Sequence, residues 1–107
     1  MEPEFINSNY QLIWREPIKN IDDFNKLLNW MSGEFILYQQ QEQTNGLKVF
    51  LPNGWFQIAL IEGVNYEYEV TLKSKSKQAI ALKYNRIISV IDHLKRFNRT
   101  LLEVCYP

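Results

Sequence analysis

Between Gly63 and Lys73 the chain alternates without a slip: Val64, Tyr66, Tyr68, Val70 and Leu72 fall on one side, Asn65, Glu67, Glu69 and Thr71 on the other. A period of two is the pattern of a strand with one buried and one wet face. Such a strand needs neighbours, and the preceding residues supply them. Asn45-Gly46 and Asn53-Gly54 each stand between apolar runs. Both Asn and Gly tolerate positive φ, which makes this dipeptide the strongest short hairpin signal. The runs are Phe35-Ile36-Leu37-Tyr38, then Leu47-Lys48-Val49-Phe50-Leu51, then Trp55-Phe56-Gln57-Ile58-Ala59-Leu60-Ile61. The expectation is a four-stranded antiparallel meander over residues 34–73.

Two helices are expected around it. The first covers residues 21–32: Asn20 is a good N-cap, Asp22 and Asp23 complement the helix dipole, and Ile21, Phe24, Leu27, Leu28 and Met31 keep helical spacing. Gly33 suits the left-handed position that ends many helices. The second covers residues 76–98, where Ile80, Tyr84, Ile87, Ile88, Ile91 and Leu94 share one side. Residues 10–14 and 101–106 can extend the sheet as opening and closing strands, giving the order β-α-β-β-β-β-α-β. The fold class is α+β, with both helices on one face of the sheet. Neither a repeat nor a linker divides the chain, so residues 1–107 read as a single domain. Apolar residues at 46% are enough for a core.

The 12 basic and 12 acidic side chains cancel, which argues against a generic polyanion binder. The cancellation conceals sorting. Residues 1–72 hold four basic and ten acidic groups, or −6; residues 73–107 hold eight basic and two acidic, or +6. Lys73, Lys75, Lys77, Arg86, Lys95, Arg96 and Arg99 form the basic segment and are candidates for nucleic acid or an acidic partner. The simpler account is a solvated helix whose cations spread over its wet side. Glu62, Glu67 and Glu69 form an acidic candidate surface. Among three tryptophans, Trp30 and Trp55 are candidate aromatic anchors, with Trp14 at the end of the opening strand. The run Gln39-Gln40-Gln41-Glu42-Gln43 offers an edge or tip with which a partner can pair.

Motifs for chemistry are missing. There is no phosphate-binding loop, no GxSxG, no HExxH and no CxxC. One His and one Cys cannot supply the ligands of a typical metal centre, so neither metal nor cofactor is expected. His93 and Cys105 could act as a pair only if the fold joined the second helix to the closing strand. Glu67 and Glu69 share a strand face, as paired acid–base carboxylates do, but no apolar setting that would raise a pKa is evident, and the wet face of a hairpin strand is the better account.

Met1-Glu2-Pro3-Glu4 is acidic where a secretory leader is basic, and no apolar run exceeds Ile58-Ala59-Leu60-Ile61. A membrane helix needs roughly 20 such residues. A cytoplasmic protein is expected. Ten Asn and eleven Ile fit an AT-rich coding genome, such as a phage or mobile element carries. The function class that fits best is a small non-enzymatic protein-binding module that occludes a partner, of the inhibitor, immunity or anti-defence type. A nucleic-acid-binding accessory protein using residues 73–99 and a structural homo-oligomer, dimeric through the Tyr-rich strand or the long helix, are the alternatives.

Overall fold

The computed structural model describes residues 10–63 and 65–105, with side chains to residue 97. The order is β1 (Tyr10–Pro17), α1 (Ile21–Glu34), β2 (Gln40–Gln43), β3 (Gly46–Leu51), β4 (Gly54–Ile61), β5 (Glu67–Ser74) and α2 (Lys77–Cys105). All five strands form one antiparallel sheet in the spatial order β1-β5-β4-β3-β2. The meander is present, and the opening strand joins it along β5, with Trp14 opposite Val70.

Backbone hydrogen bonds outside the ladders fix which groups each strand turns to its neighbour. Ile18 N–H donates to the Tyr66 carbonyl at 3.1 Å, so the even-numbered residues of β1 face β5 and Gln11, Ile13 and Arg15 face outward. Pro17 occupies the fourth outward position, where a missing N–H costs nothing. At the other edge, Phe50 N–H donates to the Gln39 carbonyl at 2.9 Å, which leaves Gln40 and Glu42 with outward N–H and C=O groups. β5 lies between β4 and β1. The Tyr-rich strand is therefore interior and cannot be an edge shared between copies.

Both helices pack on one face. Phe24, Leu27 and Met31 of α1 meet Leu47, Val49, Phe56, Ile58, Tyr68, Val70 and Leu72 of the sheet, and Ile80, Ile87, Ile91 and Leu94 of α2 complete the core. Each such side chain contributes about 1.5–3 kcal/mol when fully buried. The Asn20 side chain accepts from Asp23 N–H at 2.8 Å, the N-cap its position predicts. Ser76 caps α2 through its hydroxyl, which accepts from Ala79 N–H at 3.1 Å.

Four expectations are corrected. The turns are Thr44-Asn45 and Pro52-Asn53, and each glycine is the first residue of the following strand, with no positive φ. Pro52 presets φ for the second position of a type I turn, which places Gly54 fourth. Gly33 lies inside α1, again without positive φ, and the helix ends at Glu34 with Phe35 as its C-cap. Residues 35–38 form a turn and not a strand. Phe35 is fully buried against Phe56, whereas Ile36 and Leu37 are 69% and 94% exposed, so the run carries no period of two. Finally, α2 continues to Cys105 with no closing strand over its last turns. No Gly or Pro interrupts the chain before Pro107, so no stop signal precedes that residue. No described helix is long and apolar enough to cross a membrane.

Candidate functional site

A groove of about 630 Å³ opens between α1 and the β2–β3 hairpin. Ile21, Asn25, Leu28, Asn29 and Ser32, one stripe of α1, make one wall; Gln40, Glu42, Thr44 and Asn45 make the other. Phe24, Leu47 and Leu60 form an apolar floor. Glu42 is the one charged side chain among the described lining residues, and amides dominate the rim. This wall is held in place by Gln40. Its amide donates to the Ser32 carbonyl at 3.0 Å and the Phe35 carbonyl at 2.7 Å, and its oxygen accepts from the Ser32 hydroxyl at 2.6 Å. Two of these bonds satisfy carbonyls at the α1 C-terminus, and all three tie the edge strand to the end of the helix. The groove offers an uncharged, hydrogen-bonding rim over an apolar floor beside an open strand edge.

The sheet's other face is uncovered by either helix. Its residues fall in rows fixed by the register: Gln11, Lys73, Trp55 and Phe50; then Ile13, Thr71, Gln57 and Lys48; then Arg15, Glu69 and Ala59; then Pro17, Glu67 and Ile61. The face thus grades from cationic and aromatic to acidic. Lys48 Nζ stands 4.2 Å from the Trp55 ring centroid and 5.3 Å from that of Phe50, and Lys73 Nζ 5.7 Å from Trp55. Arg15 pairs with Glu69 at 3.4 Å.

The predicted aromatic anchors do not meet. Trp55 is on the uncovered face, while Trp30 clasps α1 to α2, its ring 5.3 Å from His93 and 5.4 Å from Phe97. Trp14 packs edge-on to Tyr84 at 5.0 Å, with its indole N–H buried and unpartnered. Glu67 and Glu69 sit together on the uncovered face of β5, and Glu62 lies exposed in the loop between β4 and β5. They line no described cavity with either tryptophan.

The basic segment is dispersed as well. Lys73 is on the sheet, Lys75 in the following turn and Lys77 at the start of α2. Arg86 bridges to Glu34 at 3.1 Å, Lys95 bridges to Glu16 at 3.2 Å, and Arg96 is exposed; the Arg99 side chain lies outside the described residues. His93 and Cys105 are on one helix, twelve residues apart, so about 18 Å of helix rise separates them and they form no catalytic pair. Among the described residues no group of His, Cys, Asp or Glu could hold a metal ion.

The groove residues escaped the sequence reading except through the Gln39–Gln43 run, which now stands as the edge strand itself. Phe50 and Lys48 were legible only as strand residues. The chain matches no protein-family model and no curated protein, so its function is read from this geometry.

Proposed function

We propose that the chain is a non-catalytic protein-binding domain that takes an extended segment of a partner protein along β2, beneath α1. One observation carries the reading: Gln40 and Glu42 turn backbone N–H and C=O groups outward beside the 630 Å³ groove, with no backbone partner among the described residues. An added strand satisfies those groups by main-chain hydrogen bonds, while alternate side chains enter the groove and supply selectivity. The groove's amide rim and apolar floor suit a segment of uncharged and apolar residues, with one cation opposite Glu42. A domain of this size that works by occupying its partner acts as inhibitors, immunity proteins and anti-defence proteins do.

The test is Glu42→Pro. Proline removes one outward N–H and leaves the bonds to β3 intact, because the ladder bonds of β2 belong to Gln41 and Gln43. A stoichiometric partner captured from the native host by the wild-type chain is expected to be lost with Glu42→Pro, at unchanged melting temperature. Capture undiminished by that substitution overturns strand addition, and no stoichiometric protein partner at all overturns the protein-binding reading.

A further inference from the structure

The groove leaves the opposite side of the sheet unexplained. There, Phe50 and Trp55 are direct cross-strand partners on β3 and β4, two of the three interior strands. Both rings are half-buried, and the π-surface they leave on an uncovered sheet can take a flat ligand. Lys73 stands directly opposite Trp55 on β5 and Lys48 in the next row along β3, and neither forms an ion pair with a carboxylate among the described residues. Beside Trp55, a concavity of about 290 Å³ is lined by the Pro52-Asn53-Gly54 turn, Lys73, Ser74 and Lys75. A π-face, three cations within one corner of the molecule and a hollow next to them are complementary to a base with its phosphates.

We propose that this corner binds single-stranded nucleic acid, with one base stacked on Trp55, a second reaching Phe50, and phosphates held by Lys48, Lys73 and Lys75. Stacking is tolerant of sequence because every base has a π-face, so the site discriminates strandedness and not sequence. The lysine ammonium groups over the rings move aside to the backbone, retaining an anionic partner. Toward Glu69 and Glu67 the face turns acidic, which limits the footprint to a few nucleotides and excludes a long track across the sheet. The site is independent of the β2 groove, which opens on the helix side.

The probe is a fluorescent single-stranded oligothymidylate read by anisotropy at low salt, with the full chain. Wild type is expected to bind, and to bind the matching duplex more weakly. Trp55→Ala is expected to weaken binding roughly tenfold or more. The double substitution Lys48→Gln and Lys73→Gln is expected to reduce the slope of log K against log salt by about 1.4, since each phosphate contact on a single strand contributes about 0.7. Arg96→Gln, an exposed cation on α2, is expected to leave binding unchanged. Should Trp55→Ala fail to fold, judged by circular dichroism, the lysine pair carries the test. The proposal is overturned by absence of binding at low salt, by equal affinity for the duplex, by insensitivity to both site variants, or by an equal loss with Arg96→Gln. Displacement of the oligonucleotide by polyglutamate at equal charge concentration overturns it too, assigning the corner to an acidic protein.

Discussion

Gly54 on β4 approaches Lys73 on β5 so closely that a Cβ at Gly54 would run into the Lys73 carbonyl oxygen. The obstacle is main chain, so no rotamer change relieves it. Gly46 stands in the same relation to Ile58. At both places the turn's Asn carbonyl accepts from the next strand, Asn53 from Lys75 N–H at 2.9 Å and Asn45 from Leu60 N–H at 2.8 Å. The glycines let each hairpin wrap onto its neighbour. Gly54→Ala is expected to cost about 3 kcal/mol, the upper end for overpacking. Urea unfolding measures it, and a loss under about 1 kcal/mol would show that the two strands can separate cheaply.

Gly33 predicts the opposite sign. It is exposed, inside α1, without positive φ, and a Cβ there meets nothing within 4 Å. Alanine removes the backbone entropy that glycine loses on entering a helix, worth about 0.5–1 kcal/mol in an interior and the lower figure at the penultimate helical residue. Gly33→Ala is expected to raise stability by about 0.5 kcal/mol in the same urea measurement. A loss of stability would mean that this position needs a conformation only glycine adopts.

Periodicity and punctuation differ in what they reveal about this fold. The alternation of residues 68–72 and the helical spacing of Phe24, Leu27 and Met31 state their buried faces directly, because burial imposes a period on a regular element, whereas Tyr66, expected on the same face, lies before β5 and is exposed. Punctuation is weaker evidence. Asn-Gly and a glycine after a helix signal a change of direction, yet the same glycine serves a positive φ, a close approach or nothing at all. Only the register separates those uses. The groove and the Trp55 corner are less legible still. Asn25, Asn29 and Gln40 are ordinary amides until α1 is laid over the hairpin. Likewise Lys48 and Lys73, twenty-five residues apart, become neighbours of one indole only through the β3-β4-β5 pairing.

Arg86 ties the end of α1 to α2. Its guanidinium donates to the Glu34 carbonyl at 2.8 Å, bridges the Glu34 carboxylate at 3.1 Å, and lies 4.3 Å from the centroid of the Phe35 ring. The ion pair is over one-third exposed on both sides and is worth only about 0.2–1 kcal/mol. The charged bond to a C-terminal carbonyl and the ring contact add to it. Arg86→Ala is expected to cost about 1–2 kcal/mol by urea unfolding. Arg86→Lys is expected to recover less than half, since an ammonium cannot reach both oxygens and stack on the ring at once. Full recovery by lysine would reduce the contact to simple charge attraction.

Tyr68 gives the molecule a stability limit at high pH. Burial pushes its phenol well above the ordinary value of about 10, and the carboxylates of Glu16 and Asp92 push in the same direction. The native phenol therefore stays protonated where the unfolded one ionises. Above about pH 10 the unfolded state binds fewer protons than the native state, so stability falls as pH rises, by about 1.4 kcal/mol per pH unit. Tyr38 has the opposite sign: Lys83 donates to its hydroxyl at 3.2 Å and lowers its pKa, so its contribution appears as pH rises toward 10 and is constant beyond. The informative quantity is the difference between wild type and Tyr68→Phe, in which contributions common to both proteins cancel. The difference between the urea midpoints of the two proteins is expected to be constant up to about pH 10 and to shift against the wild type above it. Parallel curves through pH 11 would mean that the Tyr68 hydroxyl reaches water in the native state.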